Sequence, residues 1–446
     1  MASEVRVSRV FVPGKLPDYT YNPRSELHLE TQLGDYVEEA GSILTVAGPT
    51  KTGKSVLLRR VVQNAAWVDG QGIDDVDEMW RRIGDALGVY TGVEAGSSRG
   101  SSGGGNLGSE VGLLGVAKVE AQAEYAVNEA SDLRYAIQRP ISAVARAALE
   151  QTLRPLVIDD FHFIERAVQR QIVRALKPLV LLGVPVVLVS ISHRVQDVVT
   201  AEPDMTGRVS SLSVNFWAED ELLVIARKGF EVLNVTDPGD MIARHLAQNS
   251  FGSPHLMQKF CREACKDDGV RVPQVPGRAL RAPDHWEAFF SRQVDGASAD
   301  WFQRLLRGPQ ERGSARTQWR TKTGETLDGY GLTLAAIAAT GPRLTLSKDE
   351  IKTAVEDQLE GSGPAAHQTT RVLQHMSRIA ATRITSSVPT EDELDQQEEP
   401  DAVPDVQPVM EYVEEGPNSA LHIADPFFAF YLRWGSTMHL RGGQED

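Results

Sequence analysis

The chain has 446 residues, 24% charged and 41% hydrophobic, enough to bury a full core in two or three domains of ordinary soluble composition. Its formal net charge of -15 disfavours non-specific polyanion binding and leaves any nucleic-acid contact to a local basic patch. Two cysteines, Cys261 and Cys265, lie one helical turn apart; two ligands do not close a metal site, so they read as packing thiols. Met1 to Arg9 is polar and charged, so no secretory leader is expected. The longest apolar run, Leu176 to Ile191, is broken by Lys177, Pro178, Gly183 and Pro185, which predicts a helix end followed by a buried strand and no membrane span. A reducing cytoplasm is the expected location.

In chain order, residues 5 to 24 begin as a short alternating strand and end in turn residues. A helix is expected over Glu26 to Glu39, and Arg24, where the chain enters it, reads from position alone as a solvated arginine. Ile43 to Val46 reads as a buried strand, Gly48-Pro-Thr-Lys-Thr-Gly-Lys-Ser55 matches G-x-x-x-x-G-K-[ST], and Val56 to Val62 carries helical apolar spacing. That strand-loop-helix context is the one a phosphate-binding loop requires. Gly48 and Gly53 let the backbone curl around phosphates with its N–H groups inward, and the new helix turns its positive end toward them. Lys54 adds a point charge, the Ser55 hydroxyl suits Mg2+, and Pro49, Thr50, Lys51, Thr52 and Val56 complete the expected nucleotide contacts.

Ala65 to Asp69 is a second candidate strand, and Asp74 to Leu87 places Met79, Ile83 and Leu87 on one helix face. This alternation predicts an α/β fold with a parallel sheet. The rhythm breaks over residues 89 to 135, where a Gly/Ser-rich stretch precedes an alternating segment; this reads as an insertion, either a projecting arm or an unstructured loop. A helix over Ile141 to Thr152 restores the pattern. The apolar run from Pro155 then ends in Asp159-Asp160, two carboxylates at the carboxyl end of the sheet, where ligands of open α/β folds sit. Downstream of a phosphate loop this is a Walker B pattern. Asp159 can support Mg2+, and Asp160 can orient or deprotonate an attacking water. A helix over Glu165 to Leu182 leads to a strand, Pro185 to Ser192, followed by His193 and Arg194, polar groups placed to touch a γ-phosphate. Arg208 precedes a strand over Val209 to Val214 and reads either as an arginine finger or as a surface arginine.

Three helices, Glu219 to Val232, Pro238 to Gln248 and Pro254 to Ala264, form an expected lid over residues 216 to 270, the last entered at Pro254. A connector over 271 to 328 follows, with helical pattern over 284 to 307. Residues 329 to 446 predict helices at 329 to 340, 347 to 360 and 365 to 381, then strands Val409 to Val413 and Ala420 to Ile423, the order of a winged helix. The run Glu391 to Asp405 is dense in Asp and Glu and is expected to be solvated and mobile.

The phosphate loop, the Asp159-Asp160 ending, Ser192-His-Arg194, Gly252-Ser-Pro254 and the carboxyl-terminal order together resemble the STAND branch of AAA+-like ATPases, over about residues 5 to 270 and more weakly 330 to 435. The resemblance implies a P-loop NTPase core over 41 to 215, preceded by an amino-terminal segment over 1 to 40. It implies ATP and Mg2+ as ligands, with Arg194 reading the γ-phosphate and Pro254 near the adenine. Tyr21-Asn-Pro-Arg24-Ser-Glu26 resembles the short arginine motif that precedes the first strand in such proteins. No superstructure-forming repeats or effector domain are recognisable.

The expected function is a slowly hydrolysing ATP switch that controls a protein partner or effector and forms a homo-oligomer on activation, in bacterial regulation or antiphage defence on resemblance alone. Slow turnover is expected because no aspartate is visibly tuned. Two rivals stand beside it. A DNA-linked AAA+ ATPase of the transposition-regulator kind is suggested by the winged-helix order, the Arg208 position and Arg371, Arg378 and Arg383 on one helix, against the acidic run beside the hairpin and the -15 charge; a nucleotide-stabilised scaffold would have no useful turnover. No membrane partner is expected.

Overall fold

The computed structural model describes residues 5–89, 139–191, 207–310, 315–382, 387–396, 408–414 and 416–435. The chain opens with helix α1 (Val7–Val10), not the expected strand. Val7, Val10 and Phe11 are all buried at helical spacing, and the Val7 N–H donates to the Arg271 carbonyl at 2.9 Å, so docking onto later helices overrides the local alternation. A 3-10 turn at Ser25–Leu27 leads into α2 (Leu29–Glu39).

The fold is α/β. Five parallel strands, β1 (Ile43–Ala47), β2 (Ala66–Asp69), β3 (Leu156–Asp159), β4 (Val186–Ser190) and β5 (Val209–Ser213), lie in the order β2-β3-β4-β1-β5. Because successive side chains point to opposite faces, each strand feeds two cores. Ile43, Ile158 and Leu188 meet α4 (Val76–Leu87), α5 (Ile141–Thr152) and α6 (Arg166–Leu181) on one face. Leu44, Val157 and Val189 meet α2 and α3 (Lys54–Val61) on the other. Burial on both faces explains the unbroken apolar runs in the strands. The expected 89–135 insertion and the Ser192-His193-Arg194 segment lie outside the described residues, apart from residue 89.

Beyond the sheet come α7 (Glu219–Val232), α8 (Met241–Gln248) and α9 (Pro254–Asp267). Two-residue strands β6 (Val235–Thr236) and β7 (Arg278–Ala279) pair in parallel. The stretch expected as one helix over 284 to 307 is two, α10 (Trp286–Ser291) and α11 (Gly296–Arg307), because Asp295 caps α11 by accepting from the Ser298 N–H at 2.9 Å. After the β8 (Trp319–Arg320) and β9 (Thr326–Leu327) pair, the order is α12 (Gly329–Ala339), β10 (Thr345–Ser347), α13 (Lys348–Gln358), α14 (Ala366–Ala380), α15 (Glu391–Gln396), β11 (Met410–Val413), β12 (Ala420–Ile423) and α16 (Pro426–Trp434). Strands β10, β12 and β11 form an antiparallel sheet. The middle helices and this carboxyl-terminal region share one apolar cluster, joined by Phe260, Phe289, Phe290 and Phe430.

The acidic run also departs from expectation. Its first six residues are folded as α15, because Leu394 is fully buried and Thr390 and Glu393 cap each other reciprocally. Asp395 accepts from Arg371 at 2.6 Å and meets His375 Nε2 at 2.8 Å, while Arg378 donates to the Leu394 carbonyl. Residues 397–407 and Arg383 lie outside the described residues.

One side chain ties the amino-terminal edge of the sheet. The buried Tyr36 hydroxyl accepts from the N–H groups of Val186 (3.0 Å) and Leu44 (3.3 Å) and faces the carbonyls of Val186 (2.6 Å) and Ser42 (2.8 Å), bridging α2, β1 and β4. Burial pushes its pKa up to about 12, so it is a neutral donor throughout the working range. Tyr36→Phe leaves two buried amides without their acceptor and is expected to cost about 1–3 kcal/mol, read as a lower urea midpoint by circular dichroism.

Candidate functional site

The turn after β1 is built by contact as much as by chain flexibility. Val214, just past β5, donates its N–H to the Ala47 carbonyl at 2.7 Å, and its own carbonyl lies where a Cβ on Gly48 would stand. Only glycine fits there. Gly53 has left-handed backbone (φ 97°) and starts α3, so the first amides of that helix face the loop's interior. The buried Thr52 hydroxyl donates to the Pro49 carbonyl at 3.0 Å and closes the turn. Lys54 Nζ lies in the mouth of the loop, donating to the carbonyls of Gly48 (2.8 Å) and Pro49 (2.7 Å). Burial draws its pKa down to about 8, with Asp159 and Asp160 opposing.

Register delivers the acids to this loop. With β3 beside β4 and β4 beside β1, Asp159 ends its strand level with the phosphate turn, and Ser55 Oγ donates to Asp159 Oδ2 at 2.9 Å. A hydroxyl beside a carboxylate suits Mg2+, which keeps several waters and takes phosphate oxygens for the rest. Among the described residues no group of three or more His, Cys, Asp or Glu is placed to hold a metal by itself. Asp160 has left-handed backbone (φ 53°) and stands over the turn after β2. A Cβ on Gly70 would come within 2.7 Å of the Asp160 carbonyl, so this turn can pack against the acids only as glycine. Burial first, then Asp159 and Asp69, push the Asp160 pKa up to about 6, with Lys54 opposing. The tuned aspartate that the sequence does not display is therefore made by the fold.

Loop, acids and flanking segments line a cleft of about 620 Å³. Its walls include Thr50, Lys51, Val56, Arg24, Leu16, Tyr21, Pro254 and Gln258. Pro254 opens α9, whose cap Ser253 accepts from the Leu256 N–H. Gln258 accepts from the Val12 N–H (3.1 Å) and donates to Thr20 (2.6 Å), fixing the amino-terminal segment as a wall. Arg208 is placed apart from all of these. Its carbonyl accepts from the Ile43 N–H, so it stands at the amino-terminal end of β5, about 15 Å of strand away from the phosphate loop of its own chain.

Arg24 is not the solvated arginine its position suggests. It is 7% exposed, with Nε and Nη2 on the Glu221 carboxylate at 2.7 and 2.8 Å. It also donates to the carbonyls of Asn215 (3.1 Å) and Phe216 (3.3 Å) and lies over the Trp217 ring. Trp217 Nε1 in turn donates to the Thr52 carbonyl at 2.8 Å, so the clamp reaches the phosphate loop. Glu221 and Trp217 carry no periodic or motif signal, and only their partners reveal them. Arg24→Ala leaves the mostly shielded Glu221 without its partner and is expected to cost about 2–3 kcal/mol, read as a lower urea midpoint by circular dichroism.

No protein-family model and no curated protein matches the chain. Solved structures do. Cdc6p from Pyrobaculum aerophilum matches at 12% identity over 98% of this chain and 99% of that chain, with a TM-score of 0.39. The Aeropyrum pernix ORC2 protein, in its ADPNP-ADP complexes, matches at 13% over 97% of each chain, with a TM-score of 0.45. A Signal Transduction ATPase with Numerous Domains bearing a tetratricopeptide repeat sensor, from Pyrococcus horikoshii, matches at 15% over 78% of this chain and 44% of that chain, with a TM-score of 0.33. TM-scores this low carry no residue's role and no activity across to this chain.

Proposed function

We propose that the chain is an ATP-binding, slowly hydrolysing molecular switch. The observation that carries it is the Ser55–Asp159 hydrogen bond: it joins a G-x-x-x-x-G-K-S loop to the acid ending a neighbouring parallel strand. Phosphates would sit on the loop amides and Lys54, with the base between the amino-terminal wall and Pro254. Bound Mg2+ would neutralise charge on the outer phosphates, held by Ser55 and supported by Asp159. Asp160, its pKa drawn toward neutrality, would orient the attacking water and accept its proton. Arg24 would act through the clamp and not on phosphate. A finger role for Arg208 is confined to a neighbouring copy, which ties turnover to a homo-oligomer and keeps the lone chain slow.

On this reading α7 to α9 form the lid over residues 216 to 270, following a core over 41 to 215 and the amino-terminal segment over 1 to 40 that leads into it. Residues 329 to 446 form the winged-helix-like domain, reached through 271 to 328. Support for that domain comes from the order α12, β10, α13, α14, β11, β12 and the antiparallel β10-β12-β11 sheet. A protein partner or effector is favoured over DNA because α15 packs beside α14 and supplies counter-charge, with the half-exposed Arg371 paired to Asp395 and Arg378 engaged by the Leu394 carbonyl. The DNA-linked rival predicts duplex retention that fades with salt. The scaffold rival predicts no phosphate release. A cytoplasmic, regulatory or antiphage role stays with the resemblance; among the described residues no helix is long and apolar enough to cross a membrane.

Lys54→Ala is expected to abolish ATP binding with the far-ultraviolet circular dichroism spectrum unchanged; wild-type affinity by isothermal titration refutes the assignment. The paired acids should separate. Asp160→Asn is expected to bind Mg-ATP and release phosphate about a hundredfold more slowly, whereas Asp159→Asn should weaken the Mg2+ dependence of binding itself. Equal phosphate release from both variants and the wild type would overturn the reading.

A further inference from the structure

One side chain of the phosphate loop turns away from the cradle. Lys51 has left-handed backbone (φ 58°), and its Nζ lies 3.4 and 3.3 Å from the two Asp425 oxygens, across 374 residues of sequence. The same ammonium sits 4.1 Å from the centroid of Phe427. Asp425 is also the cap of α16, accepting from the Phe427 N–H at 2.9 Å. The residue that starts the carboxyl-terminal helix therefore also holds a phosphate-loop cation. The start of α9 joins them: His255 packs edge-on against Phe427 at 5.1 Å, and Ser253 Oγ reaches the Lys51 carbonyl at 3.5 Å. His255 adds packing without charge, since burial first and Lys51 second draw its pKa down to about 4.

This contact has the strength of something exchangeable. Side-chain exposures of 35% for Lys51 and 21% for Asp425 place it among half-open ion pairs, each worth at most about fivefold in an equilibrium constant. Lysine is a point charge on a flexible stem and can change partners without moving its backbone. A terminal phosphate in the loop, even with Mg2+ sharing part of its charge, would add to the cleft that Lys51 lines several anionic oxygens that a diphosphate lacks.

We propose that Lys51 is shared between Asp425 and the outer phosphate of a bound nucleoside triphosphate, so that triphosphate binding draws the lysine off α16 and frees the carboxyl-terminal helix from the phosphate loop. The proposal rests on the nucleotide reading above and names the wire by which that site is felt in the carboxyl-terminal region. By linkage, whatever removes Asp425's claim on Lys51 must favour triphosphate over diphosphate.

The test is titration of the full chain with Mg-ADPNP and with Mg-ADP. Asp425→Asn removes the charge but keeps a competent cap, so α16 stays formed. It is expected to tighten ADPNP about three- to fivefold and leave ADP unchanged. Lys51→Ala is expected to weaken ADPNP more than ADP and to make Asp425→Asn silent in the double variant. An unchanged ratio of the two affinities in Asp425→Asn, or an equal shift of both, overturns the exchange and leaves Asp425 as a cap alone. A wild-type chain that binds neither ligand overturns the nucleotide reading, and the exchange with it.

Discussion

The arrangement of this protein depends on a largely buried ion pair. Arg24 and Glu221 are 197 residues apart, the arginine buried and the glutamate mostly shielded, at a point where three segments cross: the entry to α2, the turn after β5 and the first turn of α7. Burying two charges is expensive, and the expense is met only when the geometry is good and the spare donors are satisfied. Here the guanidinium is bidentate to Glu221, and its remaining donors reach the Asn215 and Phe216 carbonyls. Glu221 also accepts from the Ala218 N–H at 2.7 Å. The pair leaves this junction one arrangement, and through Trp217 it sets the height of Thr52 in the phosphate loop.

From that junction two mechanical paths lead out of the cleft. One runs through the shared apolar cluster: α9 carries Phe260 into contact with Phe289, Phe290 and Phe430, and Trp434 at the end of α16 donates to Asn249 at 3.0 Å. The other runs directly from Lys51 to Asp425. The first is close-packed apolar contact; the second is a polar, half-open ion pair. On the switch reading proposed above, both kinds of connection are needed, because packing alone couples motion without reading which anion is present.

Electrostatics also decide which charges the carboxyl-terminal region exposes. The basic face of α14 looks available for a polyanion when its arginines are counted along the helix. In the fold, α15 lies against that face, held by buried Leu394 and by Asp395 between Arg371 and His375. The acidic residues that read as a solvated run are in part the counter-charges of that face.

Much of the core was legible in the sequence. The strands are buried on both faces and so read as apolar runs, the phosphate loop needs glycines at set spacing, and α3, α5 and α7 show their helical pattern locally. Lys54, Ser55, Asp159 and Asp160 were visible for the same reason: strand-end acids and a glycine loop are local signals whose chemistry follows from residue type. What only tertiary structure decided is whatever depends on a partner distant in sequence. Val5 to Val12 alternates, yet Val7–Val10 within it is helical, because Val7, Val10 and Phe11 are buried together. Arg24 found Glu221, Lys51 found Asp425, and Asp160 gained its raised pKa from burial first, then from Asp159 and from Asp69 on the next strand. Charge and hydrogen-bonding capacity are properties of a residue, but desolvation and pairing are properties of its neighbours, and those neighbours are assembled only when the sheet and the helices beyond it pack.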